Sequence, residues 1–241
     1  MFQCRRKLKH LVYNNLYEKN EFHSTIKKGI LKLARSNFET FGVNKLNIVK
    51  THCITLFGKT DKYDIVLKPL NDEHLPLLYK WCADPEVLYW TEGGEDADLS
   101  YDKETVHAIY GGVSQNAYCF LIEANGVPIG EGWLQKMNLP EILAMYPKTL
   151  DVRRIDMSIG EKDYWNQGIG SQFVHMMVEF AFASEHVDVL HCICGGYNKR
   201  SQRVFEKNGF TLMQMDGPPQ PQEEQIEYHY ILTAPEYFRQ K

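Results

Sequence analysis

Residues 154–183 constrain this chain more than any other stretch. An alternating run at 154–159 leads to Gln167-Gly-Ile-Gly170, and 171–183 then places Phe173, Val174, Met177, Val178 and Ala181 on one helical face. Period-2 alternation, a glycine turn and a 3.6-residue period read as strand, turn and helix. Gly168 and Gly170 let the backbone turn tightly and approach a ligand, and the helix start offers free N–H groups with a partial positive charge. Such a turn is either an anion cradle or a tight connection alone. Two nucleotide patterns are excluded. The chain has no Gly-x4-Gly-Lys-Ser/Thr, and this turn lacks the third glycine and downstream acid of dinucleotide folds.

The flanking segments set the fold class. Residues 187–194 read as a second buried strand broken by Gly195-Gly196. Residues 199–208 read as a helix with Val204 and Phe205 inward and Gly209 at its C-terminal end, and 210–215 and 226–232 as final strands around a proline-rich excursion. Upstream, 63–67 is a short strand, Asp72 is positioned to cap a helix through Leu75, Leu77, Leu78 and Trp81, and Asp84-Pro85 opens a further turn or helix. Residues 118–123 and 128–136 are strands joined across Asn125-Gly126, a strong hairpin signal. The order is mixed α/β (α+β): helices near the front, an antiparallel meander, then β-α-β-α-β-β, with no internal repeat.

Composition bounds the function classes. With 241 residues, 44% hydrophobic and 24% charged, the chain is an ordinary globular one. No window approaches the roughly 18 apolar residues of a membrane helix. The basic N-terminus lacks the apolar stretch of a secretory signal, so the expected address is cytoplasmic. The six cysteines are scattered apart from Cys192 and Cys194, which a strand would aim to one face as buried, reduced thiols; no zinc pattern is present. Charge is uneven. Residues 1–60 carry 12 Lys+Arg against 3 Asp+Glu, or +9, which leaves −13 for the remainder. A body of that charge repels nucleic acid and anionic lipid and attracts small polycations. Residues 1–60, with an amphipathic helix expected at 24–35 and a β-like run at 46–57, are read as a basic extension of unknown role, and 61–241 as the main domain.

Three groups of residues together carry a resemblance: Arg154-Ile-Asp156-Met-Ser-Ile-Gly160, then Tyr164-Trp-Asn-Gln-Gly-Ile-Gly170, then Asn198 with Phe205-Glu-Lys-Asn-Gly209-Phe210. From about residue 63 to 232 the chain resembles the GCN5-related N-acetyltransferase (GNAT) superfamily. Tyr146-Pro-Lys-Thr149, Asp156, Tyr164-Trp165, Trp81, Trp90 and Gly93-Gly94 look like the aminoglycoside 6'-N-acetyltransferases. The resemblance implies a twisted, mostly antiparallel sheet whose central parallel strands splay apart around acetyl-coenzyme A, with flanking helices. The diphosphate would lie on the N–H groups of Gln167, Gly168, Ile169, Gly170 and Ser171, the pantetheine arm would pair with Met157, Ser158 and Ile159, and Asn198 would sit beside it. Three positions depart from the pattern: Trp165 replaces a Gln or Arg, Phe205 replaces a tyrosine general acid, and Ile193-Cys194 replace an aspartate.

Acyl transfer to an amine requires a neutral nitrogen, and a primary ammonium is unreactive until it loses a proton. By the resemblance, Asp156 holds the amine and takes that proton; the alternative is a structural strand-edge aspartate. Glu92, Glu95, Asp96 and Asp98 after Trp90, with Glu131, Glu141 and Asp151, suit a polycationic aminosugar, and Trp90, Tyr89 and Tyr146 suit its rings. The expected substrate contacts are Trp90, Glu92, Tyr146, Asp151 and Asp156. His107, His175, His186, His191 and His229 have no metal or triad spacing and read as ordinary surface or core residues. The implied activity is aminoglycoside 6'-N-acetylation conferring antibiotic resistance, by a monomer or homodimer without metal. An acetyltransferase for another amine, or a non-catalytic domain that binds acyl-coenzyme A, remains open.

Overall fold

Alternation of apolar side chains decides which residues pair as strands. In a computed structural model, which describes residues 47–92, 100–216 and 226–241, eight strands form one sheet in the order β1-β2-β3-β4-β5-β6-β8-β7. They are β1 (Leu56–Lys59), β2 (Asp64–Pro69), β3 (Ala117–Ala124), β4 (Val127–Lys136), β5 (Val152–Ile159), β6 (Val189–Gly195), β7 (Thr211–Asp216) and β8 (Glu227–Thr233). The helices are α1 (Leu75–Ala83), α2 (Pro85–Glu92), α3 (Lys103–Val113), the single turn α4 (Pro140–Leu143), α5 (Ile169–Glu179), α6 (Lys199–Lys207) and α7 (Ala234–Gln240). This is the mixed, mostly antiparallel sheet with flanking helices that the resemblance implied.

The hairpin forms where Asn-Gly demanded it. Asn125 and Gly126 take φ of 49° and 80°, the left-handed pair of a two-residue turn, and Asn125 Oδ1 accepts from Asp64 N–H at 2.8 Å. Every ladder is antiparallel except β5 with β6. The sheet is covered on both faces. Phe173, Val174, Met177 and Val178 of α5 pack against Ile155, Leu134, Cys192 and Cys194, while Leu78, Trp81, Val106 and Tyr110 cover Cys119, Leu121 and Trp133 on the other face. Each such side chain contributes about 1.5–3 kcal/mol on leaving water. The Cys192 and Cys194 thiols are buried on one face, as the spacing implied.

Two expectations shift. Part of the segment read as the extension is bonded to the body. Asp72 accepts from the N–H groups of Ile48 and Val49 at 2.9 and 2.8 Å, Val49 is buried, and β1 is an edge strand of the sheet. Lysines on 50 and 59 gave this segment the charge of the extension, but its backbone belongs to the body. Asp72, occupied there, does not cap α1. Asn71 instead caps the short turn Asp72–His74 that leads into α1, with its side chain accepting from Glu73 N–H at 2.9 Å. The helix expected at 24–35, the acids Glu95, Asp96 and Asp98, and the side chain of Glu92 lie outside the described residues.

Candidate active site

β5 and β6 pair over only two positions, Val152↔Val189 and Arg153↔Leu190, although both strands continue beyond them. Each stays paired on its outer side, β5 to β4 through Ile159 and β6 to β8 through Gly195. The inner edges of 155–159 and 192–195 therefore border a cleft that passes between the strands. Ile155 N–H points into it, donating to Cys192 Sγ at 3.4 Å. Strand alternation sends the N–H and C=O of Met157 and Ile159 the same way. The Ile159 carbonyl accepts from Trp165 Nε1 at 2.7 Å, and Met157, Ser158 and Ile159 line the cleft.

At the mouth stands the glycine turn. Gly168 takes φ of 79° and heads α5 with no side-chain cap, so no capping oxygen occupies the first N–H groups of the helix. Gly168, Ile169, Gly170 and Ser171 line the cleft. A Cβ on Gly170 would lie 2.7 Å from Met157 Cε, which ties the turn closely to β5. Gln167 turns instead toward an adjoining cavity with Lys59, Lys62, His175 and Lys207, and its Oε1 accepts from Lys62 Nζ at 3.1 Å. Asn198 caps α6 by accepting from Ser201 N–H at 3.1 Å, and its Nδ2 donates to the Trp90 carbonyl at 3.1 Å, tying α6 to α2 across the cleft.

The cleft also holds basic residues that the sequence reading missed. Arg200, Arg203 and Lys207 line it beside the turn, and the Arg200 guanidinium lies 4.2 Å from the Trp90 ring and 5.3 Å from the Trp165 ring. The signal was available, since 200, 203 and 207 share one helical face. An open strand edge, an uncapped helix start and adjacent cations fit the amide-bearing arm and diphosphate of coenzyme A. Phe205 borders the cleft and stacks on Tyr230 with ring centroids 5.6 Å apart, so it offers no proton.

Asp156 lines the same cleft, and it is already engaged. Its carboxylate accepts from Arg154 Nε at 2.6 Å and from Trp133 Nε1 at 2.9 Å, with a second contact to the Arg154 guanidinium. Burial pushes the Asp156 carboxyl up, and positive charge and hydrogen bonds, those of Arg154 first among them, together outweigh it, leaving the group well below the usual carboxylate range. Such a carboxylate attracts an ammonium but is a weak proton acceptor.

The other expected substrate contacts separate from Asp156 and Trp90. Asp151 lies outside the cleft at the opposite end of β5, where Arg153 donates to it at 2.7–3.1 Å. Tyr146 also lies outside the cleft lining and packs with Ile142, Val152, Val189 and Ile193, its hydroxyl bonded to His191 Nδ1 at 2.8 Å. The histidines do assemble in part. His191 Nε2 meets His229 Nδ1 at 2.9 Å, with both rings buried on the face of the sheet that carries Asp156. Their pairing depended on the β6 to β8 register, which joins strands more than thirty positions apart. Among the described residues, no cluster of three or more His, Cys, Asp or Glu is placed to hold a metal, and no helix is long and apolar enough to cross a membrane.

A parallel pair that parts beside a glycine-headed helix is the arrangement the resemblance implied, and comparison with known proteins specifies the family. The family model described as an acetyltransferase (GNAT) domain matches residues 64–211, more than half of the chain, and the chain belongs to that family. A curated relative, an N-acetyltransferase 9-like protein of Nematostella vectensis, is 23% identical over 148 residues, covering 61% of this chain and 74% of that protein. Among solved structures, aminoglycoside acetyltransferase AAC(6')-Ib in complex with coenzyme A and kanamycin superposes with a TM-score of 0.60 at 19% identity, covering 73% of this chain and 98% of that one. Mycobacterium smegmatis RimJ in complex with CoA-disulfide gives the same TM-score of 0.60 at 15% identity, covering 76% and 88%. The chain is thus a GNAT-family acetyltransferase, and its fold neighbours bind coenzyme A.

Proposed function

We propose that this protein transfers an acetyl group from acetyl-coenzyme A to the primary amine of a lightly charged substrate, such as a peptide terminus. Acetyl-coenzyme A supplies a thioester carbon. The amine nitrogen bonds to that carbon, the carbon–sulfur bond breaks with its electron pair going to sulfur, and the nitrogen's surplus proton must leave. Gly168, Ile169, Gly170 and Ser171, with Arg200 and Arg203, would hold the diphosphate. Met157, Ser158 and Ile159 would hold the pantetheine arm as an added strand, and Asn198 would fix the wall beside it. Asp156 would hold the ammonium before it reacts. Ordered placement of the two reactants removes roughly 7–11 kcal/mol of barrier when the geometry is right.

One observation carries the choice of amine. Two of the carboxylates expected to grip a polycation are occupied by arginines of the same strand, Asp151 by Arg153 and Asp156 by Arg154. A second reading, aminoglycoside 6'-N-acetylation conferring antibiotic resistance, draws on the position of Trp90 and Asp156 in one cleft and on the fold likeness to the kanamycin-bound acetyltransferase. Thiol release from acetyl-coenzyme A, assayed with a short peptide bearing a free N-terminus, with spermidine and with kanamycin, separates the readings. Turnover with the peptide above the other two is the expected result. Turnover with kanamycin alone replaces it with the second reading, and coenzyme binding without release from any amine overturns both.

A further inference from the structure

We infer that the basic cavity beside the glycine turn is a second phosphate site, one that takes the 3'-phosphate on the ribose of coenzyme A and makes the protein select donors that carry it. The cavity holds roughly 650 Å³ and adjoins the cleft, since Asn166, Gly168, Ser171 and Lys207 line both. A diphosphate on the turn therefore has an opening on either side. The cleft between the strands suits the pantetheine arm, which leaves the basic cavity for the nucleoside end. Its charge fits a phosphate monoester. Lys59, Lys62, His175 and Lys207 line it, and Asp61 is the one carboxylate among its described lining residues. Such a monoester carries about −1.5 to −2 at neutral pH and accepts through three oxygens, so cations converging from separate elements favour it over a neutral ribose hydroxyl. Residues 61–241 together are strongly acidic, and an anion approaching the turn needs local cations to offset that field.

The fold holds these cations against the turn. Lys59 ends β1, Lys62 lies in the connection to β2, and Lys207 ends α6. β1 rests directly on α5, where a Cβ on Gly58 would lie 2.5 Å from Met176 Sδ and 2.7 Å from Gln172 Nε2. The connection is closed by Thr60 N–H, which donates to the Tyr63 carbonyl at 2.9 Å, and from it Lys62 Nζ reaches α5's leading turn to donate to Gln167 Oε1 at 3.1 Å. An ammonium has three donors, so this bond leaves Lys62 able to hold a phosphate oxygen as well. Lys59 pairs loosely, 3.6 Å from Asp64 Oδ1, with both side chains about three-quarters exposed. A pair of that kind yields readily to a doubly charged ligand. Asn208 Nδ2 donates to the Ser171 carbonyl at 3.2 Å, which joins the end of α6 to α5 and sets Lys207 beside the opening. The charge that marked Lys59 as part of an extension thus acquires a use in the body.

This site rests on the acetyl-coenzyme A reading, and the experiment distinguishes the failure of each. Calorimetric Kd values for coenzyme A and for 3'-dephospho-coenzyme A are measured at low salt with the wild type, Lys59→Ala and Lys62→Ala. The wild type is expected to bind coenzyme A roughly tenfold more tightly than the dephospho form, and each substitution to weaken coenzyme A about 2- to 5-fold. Neither substitution should move the Kd for the dephospho form, which offers these lysines nothing to hold. A lysine that served only the packing of the turn, or that acted on the diphosphate through its general field, would weaken both ligands. Added salt should narrow the gap between the two ligands in the wild type. Equal Kd values for the two forms in the wild type, or lysine variants that weaken both alike, overturn the 3'-phosphate site alone. A wild type that binds neither form overturns the coenzyme reading and the site with it.

Discussion

Arg154 and Asp156, two residues apart on β5, form a buried ion pair in which Trp133 Nε1 shares the same carboxylate, donating at 2.9 Å. Residues i and i+2 of a strand point to one face, so the pair is intrinsic to β5 and needs no other element to bring it together. Removing one partner strands a charge in a place water does not reach. Asp156→Asn is expected to cost about 3–5 kcal/mol of stability and to lower acetyl-transfer turnover, with coenzyme A affinity retained. Thermal melts and calorimetry on the same preparation check all three, and unchanged turnover rejects the role of Asp156 in holding the amine.

Acid should weaken the fold in two stages. His191 takes up a proton near 6.5 when unfolded but only at about 4 when folded, so the unfolded chain binds more protons across that interval. Stability then rises with pH between about 4 and 6.5, by up to about 1.4 kcal/mol per pH unit. Below about 4 the Asp156 contribution, present in full at neutral pH, is lost as well, since its folded carboxyl lies beneath its unfolded value. Urea unfolding between pH 4 and 7 checks the first stage, and His191→Gln should flatten the curve there.

Gly168→Ala separates backbone strain from packing. A Cβ at this position would meet no atom within 4 Å, but φ is 79°. The variant should fold with a loss of about 1 kcal/mol or somewhat more, and it should bind coenzyme A more weakly because the turn can no longer hold its N–H groups in the same directions. Calorimetric Kd beside the melting temperature distinguishes the two losses.

Charge at the α6 face should govern coenzyme affinity. Arg200→Ala and Arg203→Ala are each expected to raise the coenzyme A Kd several-fold at low salt and by less at high salt, where exposed charges are screened within about 10 Å or less. A Kd that does not respond to either substitution would place the diphosphate elsewhere.

Much of this molecule was legible in its sequence, for identifiable reasons. The hairpin was fixed by Asn125-Gly126, α5 by its apolar face, and the position of the turn by glycines that only a sharp backbone needs. What escaped depended on register. Whether Asp151 reached the cleft or paired with Arg153 depended on where the β5 to β6 ladder ended, and the His191 to His229 contact depended on β6 lying beside β8 instead of β7. Charge counts misled at residues 48–59, because Lys50 and Lys59 are surface residues on a segment whose backbone is bonded to Asp72 and to β2. Asp156 was singled out and borders the cleft, but its partner Arg154 was overlooked even though a shared strand face places it there.

The central claim is that the parting of β5 and β6 holds acetyl-coenzyme A with its thioester beside Asp156. Crystals grown with the coenzyme test it most directly. The account predicts density for the diphosphate on the N–H groups of Gly168–Ser171 and for the pantetheine along Met157–Ile159. Density on another surface, or a cleft closed by side chains in the presence of saturating coenzyme, would contradict it.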